Sequence, residues 1–203
     1  MSSETKTAVA PKRLRGQQRV AELLQAGMAV FAEKGYEAAT MTEIAARAGA
    51  PIGSLYQFFP TKDAIADTLI ERYIALLEAE LELLRTRAPN MDTATLVENL
   101  FALLRRNPRE LAAALPLVEA RMDERTRRSK FRRVLRKRIA DILRVRTSTL
   151  SSEQARDMAI VVLQLMKAAD ALSAEDGLPG RVAGLRDLRE LARLYLDRRS
   201  AKS

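Results

Sequence analysis

TMTEIAARAGAPIGSLYQFFPTK, residues 40–62, holds two short helical patterns separated by a glycine turn, then an aromatic pair, a proline and a lysine. Thr40 and Glu43 have the capping-box spacing, which predicts a helix starting at Thr40 with the amides of Met41 and Thr42 pointing outward. Such a helix end attracts phosphate. Ile44, Ala45 and Ala48 form its inward face, and Gly49 supplies the left-handed turn that ends it. Ala45 lets a second helix approach closely, and Leu55 is the inward residue of that second helix. A short helix, a tight glycine turn and another short helix make a helix-turn-helix, whose second helix can enter a DNA major groove. Gly53 costs that helix about 1 kcal/mol relative to alanine. A bare backbone there lets the helix come close to DNA, and the Tyr56 hydroxyl can then donate to a phosphate. Phe59 returns to the core, Pro60 stops the helix and Thr61 caps the next one. Lys62 then stands at the first turn as a second phosphate ligand. A plain helical hairpin, with Gly53 a packing glycine and Tyr56 covering a core edge, explains each residue singly but not the whole constellation.

The rest of the 203-residue chain bounds the function. It contains no cysteine and no histidine. Thiolate metal sites, disulfides and the commonest general base are therefore excluded. With no glycine-rich phosphate loop either, an enzyme is disfavoured, and no cofactor or metal is expected. The opening residues are polar and basic, unlike a secretory signal, and no run of 18 apolar residues is present. A cytoplasmic location without membrane contact is expected. A net charge of +9 suits a polyanionic partner.

Ala, Leu, Arg and Glu dominate, and no alternating strand pattern persists, so the fold class is all-α. Breakers divide the chain into about nine predicted helices: 17–34, 41–48, 52–58, 61–87, 92–106, 108–121, 124–147, 153–175 and 184–198. Val20, Leu24, Gly27 and Phe31 share one face of the first. Residues 1–16 read as a basic flexible arm, 17–60 as the helix-turn-helix domain and 61–203 as a larger helical domain.

The segment AGMAVFAEKGYEAATMTEIAARAGAPIGSLYQFFPTKDAIADTLIERY resembles the DNA-binding domain of TetR-family transcriptional regulators over about residues 17–73. Phe31, Lys34, Gly35 and Tyr36, the Thr-x-x-x-Ile-Ala run and the Leu-Tyr-x-x-Phe-x-x-Lys ending carry the resemblance. It implies an all-helical homodimer in which each N-terminal domain reads half of a palindromic operator in double-stranded DNA. The C-terminal domain then dimerises and often binds an inducer, as in a repressor. Thr40, Thr42, Tyr56 and Lys62 occupy positions that commonly touch phosphate or base edges. Ile52, Gly53, Ser54 and Gln57 occupy groove-facing ones. Pro51 stands where a serine-like cap is frequent and Ile52 where a polar residue is frequent, leaving this reader fewer side-chain hydrogen bonds. Ile52 fits a thymine methyl and Gln57 an adenine edge.

Residues 1–60 hold seven Lys/Arg against five Glu, four of the seven in the stretch ending at Arg15. A denser cluster, RTRRSKFRRVLRKR at Arg125–Arg138, contains no acid. It reads first as a solvated helix face, because Phe131, Leu135, Ile139 and Ile142 give the same helix an apolar stripe. The alternative is a helical interaction protein that uses this 125–138 face to bind acidic partners or RNA. ARDMAIVVLQLMKAADAL, residues 155–172, is apolar on nearly all sides and suits a helix buried against its own domain and a partner. Val162, Leu165, Ala169, Leu185, Leu188, Ala192 and Tyr195 are the expected seam of a four-helix dimer interface. Candidate lining for a small apolar or amphipathic effector is Leu96, Leu100, Phe101, Leu104, Met122, Met158, Val162, Leu165 and Met166. Asn99, Glu119, Gln164 or Asp170 would be its polar anchors. A ligand held there reaches DNA only through the long helix 61–87.

Overall fold

The computed structural model describes residues 14–103 and 127–201, and its chain folds as two compact units, one of residues 1–75 and 109–128, the other of residues 76–108 and 129–203. Among the described residues there are eight α-helices and no strand. They are α1 Leu14–Ala38, α2 Met41–Arg47, α3 Ile52–Phe58, α4 Lys62–Arg87, α5 Thr93–Leu103, α6 Arg127–Arg146, α7 Ser152–Ser173 and α8 Arg181–Ser200. A short 3-10 turn, Ala88–Asn90, follows α4. The expected helix at 108–121 lies outside the described residues. No described helix is long and apolar enough to cross a membrane. The units divide within α4, whereas the break at Pro60 marks where α4 starts.

In the first unit α1 packs on α2, and α2 on α3. Leu23, Leu24, Phe31, Ile44, Leu55, Phe59 and Ile65 are the largest buried side chains of its core. Each contributes about 1.5–3 kcal/mol through removal from water. Gly27, on the predicted inward face of α1, is there for close approach: a Cβ would lie 2.8 Å from Ile65 Cγ2. α1 continues past the predicted end at residue 34, with a kink at Gly35, where φ is 76°.

In the second unit α5, α7 and α8 pack together. A polar clamp ties α5, α6 and α8. The Arg146 guanidinium donates to the Met91 carbonyl at 3.1 Å and to the Thr93 hydroxyl at 2.7 Å, and that hydroxyl donates to Asp197. Ser151 and Gln154 form a capping box that starts α7.

Candidate nucleic-acid interface

α2 begins with the capping box that its sequence predicts. The Thr40 hydroxyl accepts from the Glu43 amide at 3.3 Å and donates to the Glu43 carboxylate at 2.9 Å; that carboxylate also accepts from the Thr40 amide at 3.0 Å. Lys34, from α1, hydrogen-bonds the same carboxylate. The Lys34 and Thr40 hydrogen bonds lower the Glu43 pKa to about 2. Because the folded pKa is depressed, this contribution to stability is full above about pH 4.5 and is lost as pH falls toward 2. An acid titration followed by circular dichroism should therefore show Glu43→Gln flattening part of the pH dependence between those limits.

The turn after α2 carries both hydrogen bonds of a Schellman motif, from the Gly49 amide to the Ala46 carbonyl at 3.1 Å and from the Ala50 amide to the Ala45 carbonyl at 3.0 Å. Gly49 has φ of 59°, the left-handed conformation required there. Pro51 is the N-cap of α3, with ψ of 138°. Its carbonyl accepts from the Ser54 and Leu55 amides at 2.9 and 3.3 Å. Leu55 and Phe59 anchor α3 to the core.

The opposite face of α3 is bare. Ile52 is 40% and Tyr56 50% exposed, Gly53 and Gln57 are exposed, and Ser54 is half-buried. A Cβ placed on Gly53 meets nothing within 4 Å, and its φ lies outside the left-handed region, so neither packing nor backbone conformation calls for glycine. The packing-glycine explanation is thereby removed. Thr42 is exposed one position into α2, while the Thr40 hydroxyl is committed to its cap.

Lys62 is not displayed with this face. Its ammonium donates to the carbonyls of Tyr36, Glu37 and Ala39 at 2.8, 3.1 and 3.0 Å, and lies 4.4 Å from the centre of the Tyr36 ring. All three of its protons are thus spent on carbonyls at the end of α1, where a cation also suits the helix dipole. The Tyr36 hydroxyl in turn donates to Asp63. The expected phosphate ligand is placed as a staple between α1 and α4, the latter capped by Thr61, whose hydroxyl accepts from the Ala64 amide at 3.1 Å.

Other cations of this unit are similarly engaged. Arg47 makes a two-pronged pair with Glu33 at 2.5 and 2.6 Å, and Arg19 pairs with Glu22 at 2.9 Å. Sequence periodicity missed the Lys34–Glu43 and Arg47–Glu33 pairs because their partners are nine and 14 residues apart and meet only through packing. The α3 face therefore offers neutral donors and an apolar side chain, not a field of free cations.

Elsewhere, Leu96, Leu100, Phe101, Met158, Val162 and Met166 are buried in the second unit, with Leu165 half-buried. Leu104, Glu119 and Met122 lie outside the described residues. Asn99 donates to the Thr95 carbonyl at 2.9 Å within its own helix, and the Gln164 side chain accepts from Lys167 at 3.4 Å. Of the expected seam, Val162, Ala169 and Ala192 are buried within the chain itself, and Leu185, Leu188 and Tyr195 are half-buried. Packing between α7 and α8 takes up the three buried residues and leaves Leu165, Leu185, Leu188 and Tyr195 partly exposed. Exposed apolar residues on these helices include Ile160 and Val161 on α7 and Val182, Leu191 and Leu194 on α8, the last two 55% and 50% exposed.

Residues 23–69 match the family described as bacterial regulatory proteins, tetR family. The HTH-type transcriptional repressor KstR2 of Mycobacterium tuberculosis is 41% identical over 61 residues, a match covering 30% of this chain and 30% of that protein. Two solved structures share the fold over most of both chains. A transcriptional regulator from Aquifex aeolicus VF5 has a TM-score of 0.70 at 18% identity, covering 87% of this chain and 99% of that one. A TetR-family transcriptional regulator from Streptomyces coelicolor has a TM-score of 0.56 at 26% identity, covering 89% and 98%. Residues 23–69, which hold the capped α2, the glycine turn and the bare α3, match the N-terminal domain of the tetR family of bacterial regulatory proteins, and the rest of the chain lies outside that match.

Proposed function

We propose that the protein is a cytoplasmic TetR-like repressor whose homodimer binds a palindromic operator, with α3 of each subunit in a major groove. The observation that carries this reading is the α3 face: Ile52, Gly53, Tyr56 and Gln57 stand together in solvent, at a glycine that the fold does not need. In this reading Tyr56 and Thr42 donate to phosphates, and Ile52 and Gln57 meet base edges. Footprinting the purified protein on DNA flanking its own gene tests it; a salt-dependent protected palindrome is expected, with none on scrambled duplex. Gln57→Ala should cost about 1–3 kcal/mol on the best operator and little on random DNA. Equal losses on both would remove Gln57 from the base-reading set.

Dimerisation falls to α7 and α8, through Val161, Leu191 and Leu194. Large apolar side chains exposed at neighbouring positions suit burial against a second copy. Leu191→Arg with Leu194→Arg should give folded monomers by sedimentation, because neither side chain belongs to the chain's own core. Operator affinity should fall with it, since two half-sites must be engaged together. An intact dimer in that double variant would place the seam elsewhere.

A small apolar or amphipathic effector that lowers DNA affinity is the remaining part of the reading. The α4 helix is shared by both units, which supports coupling through it. A ligand that weakens operator binding tenfold must itself bind the DNA-bound dimer tenfold more weakly, a coupling of about 1.4 kcal/mol.

A further inference from the structure

The basic run at 125–138 divides into parts that behave differently. Arg138 is neutralised, at 3.0 Å from Glu78 and 3.8 Å from Glu82 of α4. Arg133, Arg136 and Lys137 instead line a cavity of about 350 Å³ between α6 and α7, together with Arg144 and Arg156. Among the described residues Asp141 is the one carboxylate lining it, and its charge also acts on Arg85. Among the described residues, none of those five cations has a hydrogen-bond or ion-pair partner. The helical spacing of 133, 136, 137, 141 and 144 places them along one face of α6, while Arg156 comes from α7, a residue outside the sequence cluster. Ala140 and Ile160 supply an apolar lining between the charges.

We propose that this cavity binds a small organic anion, a phosphate or carboxylate attached to an apolar group. Five like charges around one concavity repel one another, and an anion among them relieves that repulsion while accepting forked hydrogen bonds from guanidinium groups. The volume is that of a small-molecule pocket. The cations converge on a recess between two helices instead of running along an extended stripe of the kind that tracks a nucleic-acid backbone. The site is separate from the apolar positions expected to hold an effector, none of which lines it, and it does not rest on the operator-binding reading.

Calorimetric titration of the full chain with phenyl phosphate and with inorganic phosphate tests the proposal without DNA. Saturable binding of one phenyl phosphate per chain, tighter than inorganic phosphate, is expected. Arg136→Gln with Arg156→Gln should weaken it at least tenfold, while Arg198→Gln, the same kind of charge loss away from the cavity, should leave it unchanged. Asp141→Asn should tighten it severalfold, an effect that damage to the fold cannot mimic. Absence of saturable binding, an equal loss in Arg198→Gln, or no gain in Asp141→Asn would overturn the assignment. So would stoichiometric displacement of phenyl phosphate by a random-sequence duplex, which would make the face a nucleic-acid surface.

Discussion

Gly53→Leu is expected to leave the protein folded, with a melting temperature equal to or above the parent's, while operator affinity falls roughly a hundredfold, about 2.7 kcal/mol. The two effects have separate causes. An added side chain meets open space in the free protein, and leucine is a better helix former than glycine by about 0.8–1 kcal/mol. In the complex the same side chain stands between the α3 backbone and the base pairs, so either it clashes or the helix retreats and loses its base contacts. Gly53→Ala should show the same pair of signs at smaller size. Thermal melting alongside quantitative binding to operator checks both. Unchanged affinity in Gly53→Leu would show that α3 does not approach DNA at that point. A fall in melting temperature matching the fall in affinity would restore a purely structural glycine.

Lys62→Met is the second large effect, and it decides between two roles for one residue. The geometry assigns the ammonium to three carbonyls at the end of α1. Removing it leaves those acceptors without their charged donor, at about 1–3 kcal/mol, while the methionine stem keeps much of the contact with the Tyr36 ring. For a chain of this size that corresponds to a melting shift of about 2–12 °C. On the structural role, DNA binding weakens only as far as folding does, and the slope of log affinity against log salt is unchanged. On the phosphate role expected from sequence, stability is untouched and the slope falls by about 0.9 for each subunit's lost contact. Melting and salt dependence measured on one variant separate the two.

What could be read from the chain before folding follows from the range of the interactions involved. The Thr40–Glu43 box, the Gly49 turn and the inward placement of Leu55 and Phe59 were all legible. Each depends on residues three to six positions apart, where helix geometry alone brings the groups together. The exposed set Ile52, Gly53, Tyr56 and Gln57 follows from the same periodicity, because Leu55 and Phe59 settle which way α3 faces. The small boundary difference at Gly35 belongs to the same local scale.

Long-range partners were decided only by tertiary structure. Nothing local distinguishes Lys62 as a staple from Lys62 as a phosphate ligand, since its three acceptors lie 23 to 26 residues earlier. The engagement of Lys34 and Arg47 by carboxylates likewise depends on how α1 and α2 pack. On α7 and α8 two apolar faces compete for burial, and periodicity identifies both without ranking them. Folding buries Val162, Ala169 and Ala192 inside the chain and leaves Leu191 and Leu194 in water. The basic run was visible as a run, but only the packing of α6 beside α7 adds Arg156 and shapes a recess, while α4 supplies the carboxylates that neutralise Arg138. Sequence thus determined the described helices and the outward face of α3, whose stabilising contacts are local. The tertiary structure decided which charges are free and which apolar stripe faces outward, because both depend on partners that the chain brings together only when folded.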